Sequence, residues 1–350
     1  MLKTLISNFL WIGLLLTLAH RVNAQKTESD LTISIGLLVD EMNEKQAIAS
    51  ANKVVKRFND SGGVHGKKLK LQTRLVKGAW GAGSSQIVDL VFKDKVVGIV
   101  GALDGRNAHL AEQVIAKTQI LYVSAWASDP TLSKAYVSWY FSVIPTDDQQ
   151  AKVLTEDIYR NHQSGSRILV IHDGSYDANQ SLKSFRSSIS KNQNFTIHSL
   201  EILPLSEPSE WYRKISAFEM DLVVAFGTNL PILKINENLQ GTNGKAPVMY
   251  FNMAASASLE IEDLISQRPD NIRYISNDLA TNSKKPSSVE DFVQDGVSSL
   301  ITAIKNTDAN LTSMQKVMSE INFQGVTGQI EFDELGRLKN AETQLKITTP

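Results

Sequence analysis

The stretch "AIASANKVVKRFNDSGGVHGKKLKLQTRLV", residues 47–76, changes its period midway, and that change sets the fold class. In its first part Ala47, Ile48, Ala51, Val54, Val55 and Phe58 recur at steps of three and four. This is the stripe of a helix laid against a core. Asn59-Asp60-Ser61-Gly62-Gly63 ends it, since glycine takes the left-handed conformation a helix terminus needs. Leu69, Leu71 and Leu75 then alternate with polar residues at the period of a strand. A helix running directly into a strand is half of an α/β unit.

The same rhythm extends outward in both directions. Strands are predicted at 31–39, 96–101 and "ILYVS" (120–124), with a helix at 108–117. Beyond Phe141, helices are predicted at 149–160, 180–190 and 231–239, and strands at 167–172, 221–227, 247–253 and 271–276. Two further helices follow at 289–305 and 312–321. Strands alternating with helices indicate parallel sheets covered on both faces. The break near residues 144–148 divides the pattern into two α/β lobes, and 350 residues exceed what one core usually serves. No repeat or low-complexity tract is visible in the sequence.

Composition excludes several functions. The chain is 42% hydrophobic and 21% charged with a formal net charge of −1, which removes the electrostatic case for nucleic acid or an anionic membrane surface. It has no cysteine, so disulfide scaffolds, thiolate metal sites, cysteine catalysis and lipid anchoring through an N-terminal cysteine are excluded. Lys3, the apolar run 5–19 and the small residues Val22 and Ala24 describe a signal peptide, residues 1–24, cut before Gln25. The rival is an uncleaved anchor, but the apolar run falls short of the roughly 20 residues a span requires. A periplasmic location is expected.

In open α/β sheets, ligands sit outside the carboxyl ends of the strands. The loop "YVSAWASDP" (122–130) lies at such an end. Its hydroxyls and amides suit an anion, its alanines keep the backbone approachable, and Trp126 offers a flat apolar wall. The alternative is a loop that merely packs small residues against a helix.

Several motifs together resemble the type I periplasmic binding proteins of the branched-chain amino acid (Leu/Ile/Val) binding family, over about residues 31–340. They are "IGLLVD", "ANKVVKRFNDSGGVHGKKLKL", "VVGIVGALDG", "ILYVSAWASDPTL", "FSVIPTDDQQAKVL", "RILVIHDGSYD" and the closing "FQGVTGQIEFDELGRL" (323–338). The resemblance implies two Rossmann-like lobes with parallel sheets, joined by a three-strand hinge that closes on a small ligand. It places 31–145 plus 277–321 in lobe 1 and 146–276 plus 322–350 in lobe 2, with crossings near Ile144, Ile275 and Phe323.

It also implies ligand residues. Ala127 and Ser128 match the pair that holds the ligand's carboxylate and ammonium, beside Trp126. Tyr176 matches a pocket tyrosine of the second lobe; the alternative is a surface aromatic. Phe226, at a strand end, lines the cleft or packs in the core. Where relatives carry a serine as a second carboxylate donor, this chain has Gly105, flanked by Asp104 and Arg106; Arg106 supplies a fork of donors or is a solvated helix-start residue. Where amino-acid binders often keep an acid for the ammonium, this chain has Asn252, Met253 and Ala255. Asp40, Glu41 and Trp80 are expected at the surface.

Little points to catalysis. The histidines beyond residue 24, His65, His109, His162, His172 and His198, show no metal-ligand spacing and are expected at the surface or at strand ends. Asp173 and Asp177 flank Tyr176 and are expected to be solvated. No dinucleotide fingerprint, phosphate loop or nucleophile elbow occurs. The sequence therefore predicts a monomeric, non-enzymatic binder without cofactor or metal. It takes an amino acid or a related carboxylate or amide for an ABC-type permease. The alternative is a ligand-sensing partner of a membrane receptor or redox system.

Overall fold

A computed structural model describes residues 32–64, 66–77, 82–190, 194–203, 207–239, 245–258, 260–267, 269–277, 286–307 and 309–348. The expected signal peptide, Trp80 and His65 lie outside the described residues. In chain order the elements are β1 (Thr32–Asp40), α1 (Glu44–Asp60), β2 (Lys68–Val76), α2 (Ala82–Phe92), β3 (Gly98–Ala102), α3 (Gly105–Thr118), β4 (Leu121–Ser124) and β5 (Tyr140–Ser142). Next come α4 (Asp147–Asn161), β6 (Arg167–His172), α5 (Tyr176–Ile189), β7 (Thr196–Glu201), α6 (Pro208–Ser216), β8 (Leu222–Phe226), α7 (Ile232–Glu237), β9 (Val248–Phe251), α8 (Met253–Ser256), α9 (Ile261–Gln267) and β10 (Ile272–Asn277). The chain finishes with α10 (Val289–Lys305), α11 (Leu311–Glu320), β11 (Asn322–Gln324), β12 (Gln329–Glu331), α12 (Ala341–Gln344) and β13 (Leu345–Thr348).

The strands form two large sheets of the same design and a separate antiparallel pair, β11 with β12. The first runs β2-β1-β3-β4-β5 and is parallel throughout. The second runs β7-β6-β8-β9-β10, also parallel, with β13 added antiparallel at the β10 edge. Both orders reverse direction beside their first strand, between β1 and β3 and between β6 and β8. Such switch points open a crevice at the carboxyl ends of the strands. The internal symmetry is structural and leaves no visible trace in the sequence.

Burial follows the periodicity. Residues 35 and 37–39 of β1 and all of β3 and β8 are buried, the pattern of central strands covered on both faces. Helix α1 buries Ala47, Ala51, Val54, Val55 and Phe58, the stripe read from the sequence. Helix α10 packs on β3 so closely that a Cβ on Gly98 would stand 2.8 Å from the Leu300 side chain. Most elements absent from the sequence reading are short or lie at edges; helix α2, of 11 residues, is an exception. Strand β7 is exposed or half-buried at every position but Leu200, so no apolar run announces it.

The closing segment is held by one carboxylate. Asp295 of α10, itself buried, accepts hydrogen bonds from the Val326 and Thr327 amides (2.7 and 2.8 Å) and from the Thr327 hydroxyl (2.6 Å). Residues 322–331 thus lie against α10. The Ser142 amide of β5 then donates to the Gly336 carbonyl at 2.8 Å. The chain joins the second sheet only at Leu345, where β13 pairs with β10.

Candidate functional site

The site is assembled from loops that follow β3, β4, β6 and β9. At the end of β3, Asp104 caps α3, and its carboxylate accepts from the Asn107 amide at 2.7 Å. At the end of β6, Ser175 caps α5, accepting from the Ala178 amide at 3.2 Å. At the end of β9, Asn252 caps α8, accepting from the Ala255 amide at 2.9 Å. Each cap is a short polar residue in extended backbone, the local chemistry that starts a helix where a buried strand ends.

Two of these helix starts meet. The Gly105 amide, first of α3, donates to Asp177 Oδ1 at 2.8 Å, and Asp177 lies in the first turn of α5. Beside it the Tyr176 hydroxyl donates to Asp129 Oδ2 at 2.7 Å. Arg106 lies over the Tyr176 ring at 5.7 Å from its centroid, and His109 meets the same ring edge-on at 6.4 Å. Asp129 also accepts from the Thr131 amide and hydroxyl (2.8 and 2.7 Å) and pairs with His109 Nε2 at 3.0 Å.

A second network runs through the buried Asp147. Its Oδ1 accepts from the Ser128 hydroxyl at 2.9 Å and from the Ser181 hydroxyl at 2.8 Å. Asn252 Nδ2 in turn donates to Ser181 Oγ at 3.1 Å. The loop after β4, the start of α4, helix α5 and the end of β9 are therefore joined by four side chains.

The electrostatics are dominated by carboxylates. Hydrogen bonding to Asp129 and Glu112 raises His109 to about 9, against the opposing effect of burial. Burial alone would raise Asp129, but hydrogen bonds from His109, Thr131 and Tyr176 outweigh it and bring the group to about 2. The two thus form a charged pair at neutral pH. Burial pushes Asp177 up to about 7, with the Gly105 amide opposing and the charges of Asp104 and Asp129 adding to the rise. Asp40 rises to about 6, mainly by burial. Burial holds Asp147 well above the usual carboxylate range, although both serines favour its charged form.

Next to this knot lies a cavity of about 730 Å³, walled by Trp126 and Met42 on the first-sheet side and by Thr228, Asn229 and Ser258 on the other. The indole packs edge-on against Phe292, ring centroids 6.5 Å apart. The volume is that of a small-molecule site. Nothing in the described residues groups three or more His, Cys, Asp or Glu in a metal-holding arrangement. No described helix is long and apolar enough to cross a membrane.

A family model for periplasmic binding proteins matches residues 32–334. The chain belongs to the periplasmic binding protein family. The family's members are substrate-binding proteins of periplasmic or extracellular location, with small molecules as their cargo. The Leu/Ile/Val-binding protein homolog 1 of Brucella abortus is 28% identical over 151 residues, 41% of this chain and 39% of that protein. An amino acid binding protein of Pseudomonas aeruginosa is 28% identical over 127 residues, 35% of this chain and 33% of that one. The matched stretch thus spans well under half the length of these curated relatives. Among solved structures, LivJ of Streptococcus pneumoniae in complex with isoleucine aligns at a TM-score of 0.71 and 19% identity, covering 91% of this chain and all of that one (100%). A solute binding protein of R. palustris in complex with 4-hydroxybenzoate aligns at 0.73 and 10% identity, covering 87% and 90%. These likenesses establish the type I periplasmic binding protein fold.

Within this family member the candidate residues fall into three groups. Asp104, Gly105, Arg106, Ser128, Tyr176 and Asn252 gather at the junction of the helix starts. Trp126 stands apart from them as the cavity wall. Ala127 is buried beside Leu132 and Tyr122, and Phe226 is in the core against Phe185, ring centroids 5.7 Å apart. Glu41 is exposed and Asp40 half-buried.

Two expectations need correction. Asp173 and Asp177 are not simply solvated: Asp173 is buried, accepting from the Ser175 and Asn229 amides (3.0 and 3.1 Å), and Asp177 is half-buried, accepting from the Gly105 amide of α3. His109 is no surface residue but half-buried between Asp129 and Glu112. Asp129, Asp147 and Ser181 were missed altogether. A signal existed for two: Asp129 precedes Pro130-Thr131, a turn-forming pattern, and Asp147 follows Thr146 at a helix start.

Proposed function

We propose that this chain is a solute-binding protein that captures a small polar molecule, of amino-acid size, between two lobes and delivers it to an ABC-type permease. One lobe carries the first sheet with α1–α3, α10 and α11; the other carries the second sheet with α4–α9 and β13. The chain passes between them at 143–146, after β10, and between β12 and β13. The observation that carries the reading is the meeting of α3 and α5, whose starts come from separate sheets and bond through Gly105 and Asp177 beside the Trp126 cavity. Hinged lobes with their switch points facing each other close on whatever lies between them.

The cavity suits such cargo. Trp126 and Met42 give apolar cover, while Asn43, Thr228, Asn229 and Ser258 supply hydrogen-bonding groups. Micromolar affinity corresponds to roughly −8 kcal/mol, within reach of a few hydrogen bonds and an aromatic wall after closure costs. The relatives bound to isoleucine and to 4-hydroxybenzoate support a small-molecule cargo of this size.

The test is a thermal-shift screen of the full chain against amino acids, aromatic acids and their amides, followed by small-angle scattering with any hit. A ligand should raise Tm and reduce the radius of gyration. An unchanged radius at saturation would remove hinge closure from the mechanism.

A further inference from the structure

The amides at the start of α3 form a natural place for an anion, because the helix dipole and unpaired N–H groups both favour negative charge there. That place is already taken. The Gly105 amide donates to Asp177 Oδ1 at 2.8 Å, and the Asn107 amide to Asp104 Oδ1 at 2.7 Å. The surroundings of Gly105 are crowded: a Cβ there would lie 2.6 Å from Asp177 Oδ1, 3.1 Å from the Tyr176 ring and 3.4 Å from Asp129 Cβ. The neighbouring hydroxyl donors are engaged in the same way, Tyr176 with Asp129 and Ser128 with Asp147. The donors best suited to a ligand's carboxylate each hold a carboxylate of the protein.

We propose that Asp177 is a specificity-determining residue that stands in for a ligand's carboxylate, so that this chain takes small molecules lacking a free carboxylate. The inference rests on the solute-binding reading above and names the cargo of that site. A ligand carboxylate reaching Gly105 would have to expel Asp177 or sit among Asp177, Asp104 and Asp129. The cations nearby are Arg106, which lies over Tyr176, and His109, which already pairs with Asp129 and Glu112. Like charges that share a desolvated site repel strongly. An amide, alcohol or amine meets no such repulsion. The cavity beside Trp126 offers it Asn43, Asn229, Ser258 and the carboxylate of Glu290.

The experiment follows the Gly105 amide by ¹⁵N–¹H NMR in the full chain and in Asp177→Ala, each titrated with acetate and with L-leucine. The expected result is a Gly105 resonance that stays put in the wild-type chain and shifts saturably in the variant. In parallel, calorimetry compares L-leucine and 4-hydroxybenzoate with leucinamide and 4-hydroxybenzamide. Asp177→Ala should gain about tenfold or more in affinity for the acids and nothing for the amides, the scale of one relieved charge repulsion. A saturable Gly105 shift in the wild-type chain, or none in a folded variant, overturns the proposal. So does a variant that leaves the acid-to-amide preference unchanged. If Asp177→Ala does not fold, the wild-type titration alone decides, since a carboxylate that binds at Gly105 must move its resonance. Failure of the solute-binding reading looks different: no compound in the screen stabilises the chain, while the Gly105 titration still reads out.

Discussion

Ser128 donates its hydroxyl proton to Asp147 Oδ1 at 2.9 Å, and the Asp147 amide donates back to the Ser128 carbonyl at 2.7 Å. This reciprocal pair ties the loop after β4 to the first residue of α4, where the chain crosses from one sheet to the other. Ser128 is therefore tied through Asp147 to the start of α4. Removing Asp147 strands the Ser128 and Ser181 hydroxyls in a buried place, where each unmet hydrogen bond costs roughly 1–3 kcal/mol. Asp147→Ala should lose about 2–4 kcal/mol of unfolding free energy in urea titration. Asp147→Asn keeps an acceptor for both serines and should stay within about 1 kcal/mol. Equal losses for the two variants would show that the hydrogen bonds do not matter.

The His109–Asp129 pair makes stability depend on alkaline pH. Its partners raise His109 from 6.5 to about 9, so its contribution is complete below 6.5 and is lost as pH climbs through 9. The wild-type chain should lose about 1–2 kcal/mol between pH 6.5 and 9.5, discounted for the half-exposed ring. His109→Gln should flatten that slope. Asp129, lowered to about 2, gives the opposite limb, present above 3.8 and lost as pH falls toward 2.

Asp177 sets a trend at milder pH. Burial raises its carboxyl from 3.8 to about 7 although the Gly105 amide favours the charged form, so the arrangement that buries Asp177 is fully favoured below 3.8 and carries a growing ionisation penalty as pH rises from 3.8 through 7. Without ligand, small-angle scattering should report a larger radius of gyration at pH 8 than at pH 5. Asp177→Asn should remove the difference, because a neutral side chain has no charge to desolvate.

Gly336 is a test of backbone fit. Its φ is +73°, and a Cβ there would stand 2.2 Å from the Tyr140 carbonyl oxygen. Gly336→Ala should cost about 2–4 kcal/mol by urea denaturation, combining left-handed strain with a clash against backbone that cannot give way. Gly165→Ala provides the contrast, with a φ of +90° and open space around the site. It should show the strain alone, on the order of 1 kcal/mol.

The helix–strand alternation was legible because it is local. The stripe of α1, its glycine stop and the leucines of β2 lie within 30 consecutive residues, and periods of 3.6 and 2 can be read in so short a window. The closing segment was legible only through its resemblance to the family's closing motif; the structure then shows Gly325 close against Asp295, Thr327 held by it and Gly336 against β5. Strands β7 and β13 were not legible, since β7 buries only Leu200 and β13 only Leu345, too few side chains to leave an apolar run.

The sequence by itself determined that two α/β halves exist, where their strands end, and that hydroxyl and amide donors cluster at those ends. It could not tell what those donors hold. Gly105 and Asp177 are 72 residues apart, and Asn252 and Ser181 are 71 apart. Periodicity carries no information over such distances. Only the packing of one sheet's helices against the other's brought Asp129, Asp147 and Asp177 onto Tyr176, Ser128 and Gly105, and burial then set their charge. Whether a donor serves a ligand or a neighbouring carboxylate is decided by which group desolvates it, and desolvation belongs to the assembled tertiary structure.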